Sequence, residues 1–239
     1  MIGIRLSEER GHANHGWLDS RFSFSFANYY DPEWMGFSDL RVINDDRIAG
    51  GGGFPTHPHQ EMEILSIVLE GALAHKDSTG SGSTIRYGQF QLMSAGTGIA
   101  HSEFNPNPKE STRLMQIWII PNQTKVPPRY QESDLSPELW KNRWQPVATP
   151  EAEDGALEIR SDTRIYIADL KAGESITLPF KPGRLGWLQM ATGSIRVAGE
   201  TAGEGDGIAI VDEETAPTIE ATRDAILIFF DLRDPRKAA

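Results

Sequence analysis

The sequence predicts an all-β protein made of two units of short strands, each folded as a barrel or sandwich. Apolar residues recur at a spacing of two in short runs, glycines and prolines punctuate those runs, and no long stretch carries the rhythm of an amphipathic helix. The 23 glycines among 239 residues supply the reversals that many short strands require.

Taken in order, Phe22, Phe24 and Phe26 alternate with Ser23 and Ser25, which predicts a strand with a buried aromatic face and a solvated one. Apolar runs at 64–69 before Gly71, at 89–93 ahead of Gly96 and at 114–120 closed by Pro121 are further strands bounded by turn residues. Ser136, Pro137 and Glu138 before Leu139 and Trp140 have the order of an N-cap, a first-turn proline and an acidic first turn, so one short helix is expected there. It falls within 124–156, where five of the 15 prolines gather (Pro127, Pro128, Pro137, Pro146 and Pro150) and β-branched runs thin out. The chain is therefore divided into 1–130, a linker at 131–156, and 157–239. Strand rhythm returns at 164–170, 175–178, 187–190, 195–197, 207–211 and 225–232.

A formal charge of -11 argues against a surface that tracks nucleic-acid phosphates or anionic membranes. The N-terminal MIGIRLSEERGH has no apolar core of a signal peptide and the apolar runs are too short to span a bilayer, so a cytoplasmic location is expected. Without cysteine, neither a disulfide framework nor a thiolate zinc site is available.

His57, Pro58 and His59 form one H-x-H doublet, and His101, Ser102 and Glu103 form an H-x-E doublet. Residues i and i+2 of a strand share a face, so each doublet can aim two ligand atoms at one point, and two adjacent strands complete a four-ligand cage. Three imidazoles and a carboxylate suit one divalent transition metal, with iron the first expectation and nickel, cobalt, manganese, copper or zinc the others. Four protein ligands leave room on a five- or six-coordinate ion for a guest. All six histidines lie at or before residue 101, so such a site belongs to the first unit. Overlaying the halves on Gly71 and Gly193 sets His57 and His59 against Pro179 and Lys181, and a looser overlay on Gly88 and Gly205 sets His101 and Glu103 against Thr218 and Glu220.

Five stretches resemble the pirin family of the cupin superfamily, close to its bacterial quercetin 2,3-dioxygenase-like members: RGHANHGWLDSRFSFSFANYYDP at 10–32, LRVINDDRI at 40–48, THPHQEMEIL at 56–65, MSAGTGIAHSEFNP at 93–106 and QIWIIP at 116–121. The likeness fades beyond about residue 130. It implies a bicupin, two facing cupin-type β-barrels (double-stranded β-helices), with metal in the first barrel held by His57, His59, His101 and Glu103. The general cupin pattern places a glutamate where Glu63 stands; in pirins the carboxylate comes from the second motif, and the four residues between Gly96 and His101 follow the pirin spacing. Glu63 is then expected to orient a histidine ring from behind.

Around this set, Phe22, Phe24, Phe26, Phe104 and Trp118 are read as core first and pocket second. Gln116 shares a strand face with Trp118 and, if that face is interior, offers a buried amide to a ligand. His12 and His15 are expected to make turn hydrogen bonds, His75 to be solvated beside Lys76, Gly50 to Gly53 to form a flexible lid beside the metal, and Asp212, Glu213 and Glu214 to solvate a loop.

The resemblance implies an oxygenase that opens the central ring of a flavonol such as quercetin with dioxygen, releasing carbon monoxide, with Glu103 as both ligand and base for the 3-hydroxyl proton. Flavonol and dioxygen are the expected partners of a chain expected to act as a monomer. A metal- or redox-responsive regulatory protein that binds a protein partner fits the same resemblance, and a small-metabolite isomerase or hydrolase fits the same ligands. An open aromatic cavity at the metal favours catalysis; a sealed metal beneath an apolar surface patch favours partner binding.

Overall fold

The computed structural model describes residues 1–237. Among the described residues the strands of the first half are β1 (Ile2–Arg5), β2 (Gly11–Asn14), β3 (Leu18–Phe22), β4 (Leu40–Ile48), β5 (Gly53–His59), β6 (Glu63–Glu70), β7 (Ala72–Asp77), β8 (Gly82–Arg86), β9 (Gln89–Ser94), β10 (Ile99–Phe104), β11 (Thr112–Ile119) and β12 (Arg129–Asp134). Those that follow are β13 (Gln145–Thr149), β14 (Leu157–Glu158), β15 (Arg164–Leu170), β16 (Ser175–Thr177), β17 (Leu185–Met190), β18 (Ser194–Val197), β19 (Glu200–Gly203), β20 (Gly207–Ile210), β21 (Thr218–Arg223) and β22 (Ala225–Leu232). Helical turns are confined to short 3-10 segments, one of them Pro137–Trp140 where the short helix was expected; Ser136 precedes it without a side-chain cap.

Each half is a seven-stranded sheet with a four-stranded partner. The first half pairs β12-β9-β6-β11-β4-β3-β2 with β5-β10-β7-β8, and the second pairs β1-β20-β17-β22-β15-β13-β14 with β16-β21-β18-β19. The small sheets share one order, each beginning with the strand that follows the long fourth or fifteenth strand, so the two halves repeat one topology. Within each half the two sheets are separate ladders joined by side-chain packing, so the expected barrels are double-sheet cupin folds and not closed hydrogen-bonded rings.

Alternation explains where the cores lie. On β6 and β11, Leu65, Ile67, Met115 and Ile117 point outward and join Ile165, Ile167, Trp187, Ile228 and Phe230 of the second half in one buried cluster. The opposite residues face inward: Ile208, Leu188, Phe229 and Tyr166 form a continuous apolar row across β20, β17, β22 and β15, and the second half is filled with aliphatic and aromatic side chains.

Strand pairing divides the chain differently from its composition. β1 hydrogen-bonds to β20, so the N-terminal strand completes the second half's sheet. The proline-rich stretch at 131–156 is not a free linker: β12 continues the first sheet to Asp134 through β9, and β13 starts the second through β15. The aromatic alternation at 22–26 also breaks early. β3 ends at Phe22, and Ser23 and Ser25 are buried, because Ser23 Oγ reaches Gln189 Oε1 at 3.3 Å and Ser25 Oγ bonds the Asp31 carbonyl at 2.9 Å. Phe24 then crosses to Trp187, ring centroids 5.0 Å apart, in the core between the halves.

Candidate metal centre

Three strands side by side build the centre. β10 runs antiparallel to β5 with His101 opposite His57, and a bulge between His101 and Glu103 turns the next residue to face Phe54. The register brings the predicted histidines together: ring centroids are 4.8 Å apart for His57 and His59, 4.5 Å for His57 and His101, and 4.9 Å for His59 and His101. One ring nitrogen from each lies within 4.8 Å of the others.

The donor set fits a cation. His57 Nδ1–H donates to the Pro55 carbonyl at 2.8 Å, which leaves its Nε2 as a lone pair. His101 Nε2 is buried with no hydrogen-bond partner. Burial, followed by the neighbouring imidazole of His57, pulls His59 down to about 4; burial, followed by His57 and His59, pulls His101 down to about 3, so both rings are neutral at pH 7.

Glu103 is fully buried behind this triangle. Its Oε2 accepts from Gln116 Nε2 at 2.8 Å, and its Oε1 from Gln91 Nε2 at 2.8 Å and Ser66 Oγ at 3.4 Å. Burial pushes the carboxyl up to about 7 against the pull of those three donors. The carboxylate groups within ligand distance of His101 and His75, whereas His57 and His59 group with His101. His101 is thus common to both clusters.

Gln91, Ser66, Gln116 and Asn44 are cross-strand neighbours on β9, β6, β11 and β4, forming a polar row where the second half has an apolar one. Apolar clusters close it off on either side, Leu18, Ile48, Val68 and Leu114 on one and Ile64, Met93 and Ile99 on the other. A cavity of about 430 Å³ opens beside it, within the range of small-molecule sites. Its aromatic walls are Trp17, Phe22, Phe26, Phe54 and Trp118, and its polar groups include Ser20, Asn44, Asp46, His57, His59, Glu103 and Gln116. Trp118 stands edge-on to His59 at 5.0 Å and to Phe26 at 5.3 Å. Its Nε1 donates to Gln116 Oε1 at 3.3 Å, so Trp118, Gln116 and Glu103 form one hydrogen-bonded line.

Other expected residues sit elsewhere. Glu63 accepts from Ser94 Oγ at 2.8 Å and from the Arg160 backbone N–H at 3.2 Å, tying β6 to the second half instead of backing a histidine. His12 pairs with Asp19 at 3.2 Å across β2 and β3, and His15 borders the cavity. The glycine run is a packed turn and not a lid: Gly51 N–H donates to the Asn107 carbonyl at 2.9 Å, and a Cβ on Gly50 would lie 2.6 Å from the backbone of Pro108 and Lys109. His75 is buried, not solvated, with Nε2 3.0 Å from Asp77 Oδ2. The strand matching β10 in the second half turns Ile219 and Ala221 inward, one residue out of step with the overlay on Thr218 and Glu220.

Asn44, Asp46, Ser20 and Gln91 were not singled out from sequence. Their signal is a polar residue interrupting an apolar row at spacing two, as Asn44 and Asp46 do between Val42 and Ile48, and Ser66 does between Ile64 and Val68.

A double cupin whose first half carries His/Glu groups that could hold a metal, with no such group in the second among the described residues, defines the class. Residues 3–119 match the pirin family model, and residues 146–232 match that of the quercetinase C-terminal cupin domain. The chain is 48% identical over 232 residues to a quercetin 2,3-dioxygenase of Escherichia coli K12, covering 97% of this chain and 99% of the relative. It is 41% identical over 232 residues to a pirin-like protein of Caulobacter vibrioides, with the same coverage. The crystal structure of the bacterial pirin YhhW in complex with nickel(II), from Escherichia coli, superposes with a TM-score of 0.92 at 47% identity over 98% of this chain and 99% of that one. The chain belongs to the pirin family. No helix among the described residues is long and apolar enough to cross a membrane.

Proposed function

We propose that this chain is a metal-dependent dioxygenase that opens the central ring of flavonols such as quercetin, with His57, His59, His101 and Glu103 as the metal ligands and iron as the resident ion. The observation that carries this reading is the aromatic-walled cavity that His57, His59 and Glu103 line. A partner-binding regulator would favour a metal sealed from solvent; an open cavity supports a guest instead.

Trp118, Phe26 and Phe54 supply flat apolar surface for the fused rings and keep water off the reacting centre. Bound in the histidine triangle, the metal supplies Lewis acidity toward the 3-hydroxyl and 4-oxo oxygens and redox chemistry toward dioxygen. Glu103, which lines the cavity, takes the 3-hydroxyl proton. Gln116 and Gln91 hold its two oxygens in place while the proton moves. Both dioxygen atoms enter the products, and one ring carbon leaves as carbon monoxide.

The test is metal analysis of the purified protein, then quercetin turnover under oxygen with each candidate metal. His59→Ala is expected to lose metal and turnover, and Glu103→Ala to lose turnover with weakened metal. Unchanged turnover in either variant, or none in fully metallated wild type, overturns the proposal.

A further inference from the structure

We propose that Asp77 and His75 form a positioning line that sets the tautomer of His101 and aims its Nε2 lone pair at the metal; this rests on the metal reading above. β10 lies between β5 and β7, and on the β7 side His101 faces Asp77 while Glu103 faces His75. His75 and Asp77 are a third i, i+2 doublet beside the two that the sequence displays. Both side chains are completely buried.

The protons along the line are dictated by its far end. Asp77 Oδ1 accepts from Thr79 N–H at 2.8 Å, Thr79 Oγ at 2.6 Å and Ser81 N–H at 3.2 Å, so the group is an ionised acceptor and its Oδ2 requires a proton on His75 Nε2. A His75 ring that carries this one proton has Nδ1 as an acceptor, and His101 Nδ1, 3.3 Å away, then donates to it. That leaves His101 Nε2 without a proton, and this is the buried ring nitrogen with no partner. Tyr130 stacks on the His75 ring at 4.4 Å and 18° and holds its plane. A ligand ring oriented and made more basic by an outer hydrogen bond typically binds metal 10–100-fold more tightly than one without it.

The alternative is that His75 serves only as a stacked core ring. Two substitutions separate the readings. His75→Phe keeps the ring on Tyr130 and removes both hydrogen bonds, whereas His75→Gln gives up the stack but can donate to Asp77 and accept from His101. In Asp77→Asn the Oδ1 position must remain oxygen to serve the Thr79 and Ser81 donors, so the amide NH2 faces His75 and reverses the line, putting a proton on His101 Nε2.

The experiment is Co(II) and Ni(II) affinity of the metal-stripped full chain by chelator competition, with thermal melting of the metal-free proteins alongside. We expect His75→Phe and Asp77→Asn to bind about 10–100-fold more weakly, and His75→Gln to stay within about threefold of wild type. If His75→Phe melts well below wild type, Asp77→Asn against His75→Gln decides. Wild-type affinity in Asp77→Asn, or equal loss in His75→Gln and His75→Phe, overturns the inference and leaves the metal centre standing. A wild type that takes up neither ion overturns the centre and the inference together.

Discussion

Replacing Asp46 by asparagine should make the metal-free protein more resistant to unfolding at pH 8 and leave it almost unchanged near pH 4. Asp46 lies on β4 in the cavity wall, 2% exposed, and accepts a hydrogen bond from Ser20 Oγ. Burial, then the neighbouring charges of Asp45 and Glu103, push its carboxyl from 3.8 up to about 7, against the hydrogen bond from Ser20. Between those values the folded chain holds a proton that the unfolded chain has released. The contribution is therefore fully present below pH 4 and is lost as pH rises through 7. A gap of about three pH units at about 1.4 kcal/mol each sets an upper figure of about 4 kcal/mol by pH 8. Asparagine is neutral throughout, and its amide oxygen can still accept from Ser20. Urea midpoints for wild type and Asp46→Asn, measured in chelator at pH 5, 6, 7 and 8, should diverge with rising pH and then level off. A difference of the same size at pH 5 and pH 8 would show that Asp46 does not carry its proton into the fold, and the argument would fail.

Two further outcomes follow from packing and pairing. Arg113→Met should cost about 3 kcal/mol in urea unfolding, because Nε and Nη2 each reach Asp45 at 2.9 Å and Nη2 also reaches the Ala191 carbonyl of the second half at 2.9 Å, so that its loss leaves Asp45 only Arg10 Nη1 at 3.8 Å; a loss below about 1 kcal/mol, as for an exposed pair, would refute this. Gly193→Ala should be far worse than Gly173→Ala, about 3 kcal/mol against about 1 in thermal melts, since both have positive φ but a Cβ on Gly193 would lie 2.0 Å from the Asp224 carbonyl while Gly173 has open space around it.

The clustering of His57, His59 and His101 was legible because a strand delivers i and i+2 to one side whatever its neighbours are. What lies beside that strand was not, since β5, β10 and β7 come from segments far apart in the chain. His75 was misjudged through Lys76, its exposed neighbour; in a strand that neighbour points the other way, and the informative partner was Asp77. The overlays of the halves found the repeat and missed its register, by one residue for His101 on β21 and by three for His57 on β16, because turn glycines locate loops and do not count strand residues. The four residues of β1 have too little pattern to reveal that they pair with β20 some two hundred positions later.

The polar row also explains why the two halves of one topology differ in content. Gln91, Ser66 and Gln116 are buried where the second half has Ile208, Leu188 and Phe229, and Glu103 where it has Ala221; a buried polar group left unpaired costs about 1–3 kcal/mol. Three of the row's members are tolerable because they are hydrogen-bonded: Gln91 and Gln116 give amide protons to Glu103, and Gln91 also reaches Ser66 at 3.2 Å, whereas Asn44 Oδ1 has no partner. That pairing avoids a penalty but replaces the apolar interior from which a small β unit draws its stability. The outward faces of the same strands make up for it. Leu65, Ile67, Met115 and Ile117 are buried against Ile165, Trp187 and Phe230, so the first half takes part of its core from the second. The second half is then part of what holds the first half's polar interior in place, since it supplies from outside the packing that this interior has given over to polar groups.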